Sequence, residues 1–259
     1  MAASTYFSLI CLSIIQGITE WIPISSSGLL VIFEEILLLK DKDKNLLFNI
    51  SAHTGSLFAV LVYFKKEIFN IVGNIPLFHN IIIATLPVII IGFLVNFFQI
   101  NIFLQDIKIV TAATIFFSII LYFSDKTLVS QRFKNNISNK NAFYIGLAQV
   151  IALIPGTSRS GITITCARFL GFSRLDSAKF SFLISIPTLF AATVLGIGEV
   201  VINFNKDILL FLFIGFSLSF VTSLFCIKIF LSFVEKNSLT LFVILRLFLG
   251  FALLFYLAN

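Results

Sequence analysis

The sequence predicts an all-α integral membrane protein in which six transmembrane helices and two oppositely inserted re-entrant helix hairpins form an inverted-topology repeat. Three observations predict it. Of 259 residues, 59% are hydrophobic and 12% charged, with a mean hydropathy of +1.07, whereas globular domains hold about 45–50% apolar residues. Six apolar stretches are long enough to cross a bilayer core. Two further apolar stretches are too long for one crossing, and each is interrupted near its middle by proline, hydroxyl residues and glycine.

Taken in order, the first apolar stretch, about 5–39, is broken by Gln16-Gly17-Ile18-Thr19-Glu20-Trp21-Ile22-Pro23-Ile24-Ser25-Ser26-Ser27-Gly28. Proline ends or kinks a helix, and broken backbone at membrane depth is tolerated only where it is buried in protein or lines a cavity. This stretch therefore reads as a helix-break-helix hairpin. Crossings follow at about 46–64, 78–98 and 109–123, near the roughly 20 residues a span requires. A polar stretch at about 124–141, with Asp125, Lys126, Arg132, Lys134 and Lys140, reads as a cytoplasmic linker. The second hairpin, about 142–171, is broken at Pro155-Gly156-Thr157-Ser158-Arg159-Ser160-Gly161-Ile162-Thr163, and crossings at about 180–203, 208–230 and 241–257 complete the chain. The whole of 1–259 is one polytopic membrane domain, with repeats at about 1–123 and 142–259 and no soluble domain.

Positive charge orients it. With the loop at 65–77 inside, Lys65, Lys66, Lys126, Arg132, Lys134, Lys140, Arg174, Lys179 and Lys236 face the cytoplasm, and Lys40, Lys42, Lys44, Lys108 and Lys206 face out. Nine against five supports this topology. The hairpins then enter from opposite sides, because three crossings lie between them. Broken helices at matching places in two inverted halves point to a polar site within the membrane. No basic residue precedes Lys40, so no cleaved signal peptide is expected and the mature chain begins at or near Met1.

The net charge of +6 lies largely in short loops and serves orientation, which excludes nucleic acid as a partner. Cys11, Cys166 and Cys226 are widely spaced in apolar surroundings and read as buried hydrophobes. His53 and His79 are the only histidines, so a multi-histidine metal centre is ruled out.

The interruptions carry the candidate chemistry. Gln16 and Glu20 are four apart and share a helix face that points toward the break at Pro23. A carboxylate at membrane depth costs about 2.5–3.5 kcal/mol, which makes Glu20 a functional candidate. Ser25, Ser26, Ser27 and Gly28 open a new apolar helix, where hydroxyls and free N–H groups bind anions. In the second break Ser158 and Ser160 flank Arg159, and Thr163 lies one turn on. Arginine presents a planar fork suited to phosphate, so Arg159 reads either as a phosphate clamp or as a structural partner of Glu20. His53, in the first full crossing, is either a hydrogen-bonded packing residue or a general acid or base. Glu34, Glu35, Glu199 and Arg246 are assigned topology or pairing roles.

Together, Gln16-x-x-x-Glu20, Pro23, Ser25-Ser26-Ser27-Gly28 and Pro155-Gly156-Thr157-Ser158-Arg159-Ser160-x-x-Thr163 resemble the undecaprenyl-diphosphate phosphatases, the bacitracin-resistance family of bacterial membranes. The resemblance extends over nearly the whole chain, through the segment from Phe48 to Phe64 and Lys179-Phe180-Ser181-Phe182-Leu183. It implies hydrolysis of undecaprenyl diphosphate to undecaprenyl phosphate and inorganic phosphate, which recycles the lipid carrier for peptidoglycan. It also implies a multi-pass protein of the cytoplasmic (inner) membrane, with an active site opening to the outer face. By motif position Glu20 and Gln16 match the family's acidic motif, Ser26 its functional serine and Arg159 its essential arginine, with Ser25, Ser27, Ser158, Ser160 and Thr163 expected around the substrate.

One position departs. Where the family has a histidine after the first serine-glycine element, this chain has Leu29. Either His53 supplies the missing acid–base function, or Ser26, Glu20, Arg159 and a metal ion act without imidazole. Because one arginine does not neutralise a diphosphate, a divalent cation, Mg²⁺ or Ca²⁺, is expected on Glu20 and Gln16. Expected partners are the polyprenyl diphosphate, membrane lipids and a second copy in a homodimer. Inverted repeats with broken helices are also transporter architecture, so the alternative is a transporter or flippase of polyprenyl phosphate without hydrolysis.

Overall fold

The computed structural model describes residues 3–26, 29, 42–131, 137–200 and 206–258, and among them the regular structure is helical. The helices are α1 (Ala3–Thr19), α2 (Lys42–Tyr63), α3 (Lys65–Gly73), α4 (Ile75–Phe97), α5 (Ile100–Leu104), α6 (Ile107–Asp125), α7 (Asn139–Ile151), α8 (Arg159–Phe169), α9 (Arg174–Val200), α10 (Lys206–Lys236) and α11 (Thr240–Ala258). Polar residues at the breaks start them: Asn74 accepts from the Leu77 N–H at 3.2 Å, Asp106 from Lys108 at 2.8 Å and Ser138 from Asn141 at 3.2 Å. Each satisfies a donor that the first helical turn leaves open.

Five of these helices are long and apolar enough to span a membrane: α4, α6, α9 within Arg174–Leu195, α10 within Leu209–Lys236, and α11. The stretch expected to cross at 46–64 forms α2, in which Leu47–Tyr63 is a shorter apolar segment. The second interrupted stretch forms two helices, α7 and α8, separated by a break. In the first, α1 ends at Thr19, and the arm beyond Leu29 lies outside the described residues.

Close helix packing sets the site. α10 runs along both α1 and α2, α4 along α7, and α6 along α11. At the α2–α10 contact a Cβ on Gly55 would stand 2.3 Å from the Phe216 carbonyl oxygen, so backbone meets backbone. Ser56 Oγ lies 3.0 Å from both Ser219 Oγ and Ser223 Oγ, Ser219 donates to the Ala52 carbonyl at 2.7 Å, and Ser223 to that of Gly17 at 3.1 Å. Small residues and hydroxyl pairs of this kind join helices where lipid supplies no hydrophobic drive. The result fixes α1, which carries Gln16, against α2, which carries His53. An aromatic core backs them, with Phe182 at 5.0 Å from Trp21, 6.4 Å from Phe64 and 5.8 Å from Phe230.

Within the linker expected at 124–141, Asp125 is a buried charge, whereas Lys126 and residues 128–131 are exposed. Asp125 ends α6 and is 3% exposed. Its carboxylate accepts from Arg174 Nε at 2.5 Å and from the Leu239 N–H at 3.0 Å, while Ser130 and Gln131 N–H groups bond the Gly171 carbonyl. The start of this linker thus ties α6 to the starts of α9 and α11.

Candidate active site

Both breaks turn the chain sharply. After α1 the Glu20 N–H returns to the Gln16 carbonyl at 3.0 Å, the Ile24 N–H bonds the Ile22 carbonyl at 2.7 Å, and a helical turn restarts where Leu29 N–H reaches the Ser25 carbonyl at 3.2 Å. After α7, Gly156 adopts φ +92°, where a Cβ would lie 2.3 Å from the Val110 carbonyl oxygen. Glycine alone meets both demands. Ser158 follows at φ +67° and caps α8 by accepting the Gly161 N–H at 3.2 Å.

The two breaks meet through charge. Arg159, the first residue of α8, donates from Nη2 to Glu20 Oε1 at 2.6 Å and from Nη1 to the Ser181 carbonyl at 3.2 Å. Its guanidinium lies 5.7 Å from the centre of the Trp21 ring. Glu20 Oε2 accepts from Gln16 Nε2 at 2.9 Å, as the four-residue spacing predicts. His53 enters the same cluster, with Nε2 3.8 Å from Glu20 Oε2 and 3.4 Å from Gln16 Nε2. Its Nδ1 lies 2.7 Å from the Asn49 carbonyl, which only accepts, so Nδ1 carries a proton and the tautomer with a lone pair on Nε2 is the neutral form that this contact selects.

Hydroxyls surround this pair unevenly. Ser160 Oγ donates to the Ile22 carbonyl at 3.0 Å, joining the breaks directly, and lies 3.3 Å from Ser158 Oγ. Thr163, expected as a substrate donor, directs its hydroxyl to the Arg159 carbonyl at 2.9 Å and to Ser181 Oγ at 2.7 Å. It braces the turn that presents Arg159. Ser25 is fully buried, and Ser26 is half-buried where the helical turn restarts. Ser27 and Gly28 lie outside the described residues, as do Glu34 and Glu35, and the Glu199 side chain is not described.

Sequence reading missed the role of Arg246. This fully buried arginine of α11 donates from Nη2 to the Gly156 carbonyl at 3.1 Å and the Thr157 carbonyl at 2.9 Å, and from Nη1 to the Pro23 carbonyl at 3.5 Å. One guanidinium therefore satisfies carbonyls freed in both breaks, a role signalled only by an arginine within an apolar span. A Cβ on Gly161 would come within 2.6 Å of Arg246 Nη1, so α8 approaches it closely.

Among the described residues no group of three or more His, Cys, Asp or Glu gathers, so these residues offer no closed metal cage. Gln16 Oε1, however, is buried without a hydrogen-bond partner beside the Glu20 carboxylate. A carboxylate and an orphaned amide oxygen fit a hard cation that takes its remaining ligands from substrate phosphate and water.

A family model described as Bacitracin resistance protein BacA matches residues 9–252. The chain is 38% identical to an undecaprenyl-diphosphatase of Pelagibacter ubique, with 99% of each chain covered. It is 39% identical to an undecaprenyl-diphosphatase of Alteromonas mediterranea, over 97% of this chain and 98% of the relative. A third undecaprenyl-diphosphatase, from Aliivibrio salmonicida, is 37% identical over 98% of this chain and 99% of its own.

Proposed function

The chain belongs to the BacA bacitracin-resistance family, and from that premise we infer that it hydrolyses undecaprenyl diphosphate to undecaprenyl phosphate and inorganic phosphate. It is a membrane phosphatase that returns the lipid carrier to cell-wall synthesis and supports bacitracin resistance. The observation that carries the reading to these residues is the Arg159–Glu20 contact at 2.6 Å, which joins the two breaks.

The catalytic assignments rest on that contact and on charge. Before substrate arrives, each of the two buried charges is the other's partner, which offsets the cost of desolvation. A diphosphate competes for Arg159, whose fork suits phosphoryl oxygens, while Ser158, Ser160 and the Gly161 end of α8 position it. Ser26 orients the attacking water, or attacks the terminal phosphorus itself and is freed when a water then hydrolyses the phosphoserine to inorganic phosphate. The bond from that phosphorus to the bridging oxygen breaks, and the bridging oxygen leaves on undecaprenyl phosphate. His53 accepts the nucleophile's proton at Nε2, the nitrogen that its Asn49 contact leaves unprotonated and that Gln16 Nε2 faces at 3.4 Å. Gln16 and Glu20 would hold Mg²⁺ or Ca²⁺, which neutralises diphosphate charge and polarises phosphoryl oxygens when bound.

The finer topology belongs to the same proposal: six crossings, two re-entrant hairpins and an inverted repeat in the inner membrane, with the site facing out. The spacing that separates Gln16 from Gln149 and Ser25 from Ser158 also carries Ile107–Asp125 onto Thr240–Ala258. Packing is mirrored too, since α1 lies along α10 as α7 lies along α4. Reconstituted vesicles test the hydrolase reading: phosphate release from polyprenyl diphosphate is expected, whereas lipid translocation without release would support a flippase.

A further inference from the structure

Where α6, α8 and α10 end and α9 begins, the structure leaves a cavity of about 590 Å³ that the proposed chemistry does not use. Arg168, Arg174, Lys126 and Ser173 line it, together with the carboxylates of Asp125 and Glu235. It is separate from the candidate active site. Arg159 is the first residue of α8 and Arg168 stands near its end, about 14 Å along the axis at 1.5 Å per residue.

Two arginines share one buried carboxylate here. Arg174 donates to Asp125 from Nε at 2.5 Å and from Nη2 at 3.2 Å, and the Leu239 N–H takes the same carboxylate at 3.0 Å. Arg168 Nε comes only to 4.0 Å from Asp125 Oδ1 and is buried without a hydrogen-bond partner, in a residue 2% exposed. Its other nitrogens bond the carbonyls of Phe172, Asp125 and Thr127. Asp125 therefore balances one of two guanidinium charges, and a buried cation in excess draws an anion. Ser173 Oγ accepts the Asp176 N–H at 3.0 Å and keeps its own proton to donate. The first N–H groups of α9, which no helical carbonyl satisfies, open at the same end.

The surroundings narrow the anion further. The Lys126 amino group lies 5.0 Å from the centre of the Tyr122 ring, and Phe123 and Leu128 beside it are 60% and 85% exposed. Basic and aromatic residues at the ends of spanning helices sit at headgroup depth. The volume is that of a pocket for a whole small molecule rather than a bare ion. We propose that the cavity binds the phosphodiester headgroup of an anionic phospholipid. Arg174 and Lys126 meet its oxygens, Arg168 supplies the charge behind them, and the acyl chains leave past Phe123 and Leu128. In the orientation proposed above this is the inner leaflet, where basic pockets between helices meet anionic lipid. Free phosphate presents the same oxygens, so the test separates the two.

The purified full chain in detergent is melted with phosphatidylglycerol, with phosphatidylcholine of the same acyl chains, and with inorganic phosphate. Phosphatidylglycerol is expected to raise the melting temperature saturably by about 2–4 °C, and the other two to leave it unchanged. Lys126→Glu is expected to raise the half-saturating lipid concentration about tenfold, and Glu235→Lys to lower it. Both side chains are exposed, so each variant is expected to melt near the wild type without added lipid. An equal shift with phosphatidylcholine or with inorganic phosphate, or a half-saturation indifferent to both substitutions, overturns the proposal. Phosphate release plays no part in this measurement, so failure of the lipid site and failure of the hydrolase reading are told apart.

Discussion

Arg159 Nη2 and Glu20 Oε1 lie 2.6 Å apart although 139 residues separate them in sequence, and their ion pair closes the two broken helices onto one another. Both side chains are mostly shielded, at 14% and 9% exposure. Glu20→Gln or Arg159→Gln leaves a single buried charge and is expected to cost about 3–5 kcal/mol of stability. The double variant regains much of that loss in thermal unfolding yet releases no phosphate. Recovery of activity along with stability in the double variant would show the pair to be only structural.

His53 offers the described cluster its one imidazole. If Nε2 accepts the nucleophile's proton, His53→Ala lowers kcat by about 10²–10⁴-fold. Single-turnover phosphate release measures this directly. Near wild-type turnover would assign the chemistry to Ser26, Glu20, Arg159 and a metal without imidazole.

Arg246 holds carbonyls of both breaks. Arg246→Met is expected to cost about 1–3 kcal/mol for each carbonyl left without a donor and to reduce kcat by loosening the turn that presents Arg159. Gly161→Ala pushes a methyl group toward Arg246 Nη1 and is expected to reproduce the kinetic defect in milder form. A Gly161→Ala protein with unaltered kcat and melting temperature would contradict this coupling.

The orphaned Gln16 Oε1 predicts metal dependence. Chelation is expected to abolish phosphate release, with Mg²⁺ or Ca²⁺ restoring it, and Gln16→Leu is expected to raise the metal concentration needed for half-maximal activity. Unchanged rates after chelation would remove the cation from the account.

Much of the site is written in local sequence. The prolines, glycines and serines of the two breaks have few roles within apolar stretches, and the Gln16–Glu20 contact follows from helical spacing. The pairing of Arg159 with Glu20 was one of two readings open from residue type, and the structure shows that contact. Other features depend on partners that sequence does not mark. Arg246 bonds backbone carbonyls, which every residue has, so nothing at Pro23, Gly156 or Thr157 advertises it. Asp125 looked like a linker charge because its partner, Arg174, lies 49 residues away. His53 reaches Glu20 only because α1 and α2 share α10 as their support, through Gly17, Gly55 and the Ser56–Ser219–Ser223 contacts. Thr163 sits at the right spacing for a substrate donor, yet its hydroxyl is taken up by the Arg159 carbonyl and Ser181.

The central claim is that the joined breaks form a diphosphate-cleaving site. Its most direct measurement is phosphate release from undecaprenyl diphosphate by the purified protein, compared with Arg159→Gln, with the lipid product identified by mass. The account predicts undecaprenyl phosphate and inorganic phosphate in equal amounts from the wild type, and a loss of at least about a hundredfold in the variant. Equal rates in the two proteins would contradict it.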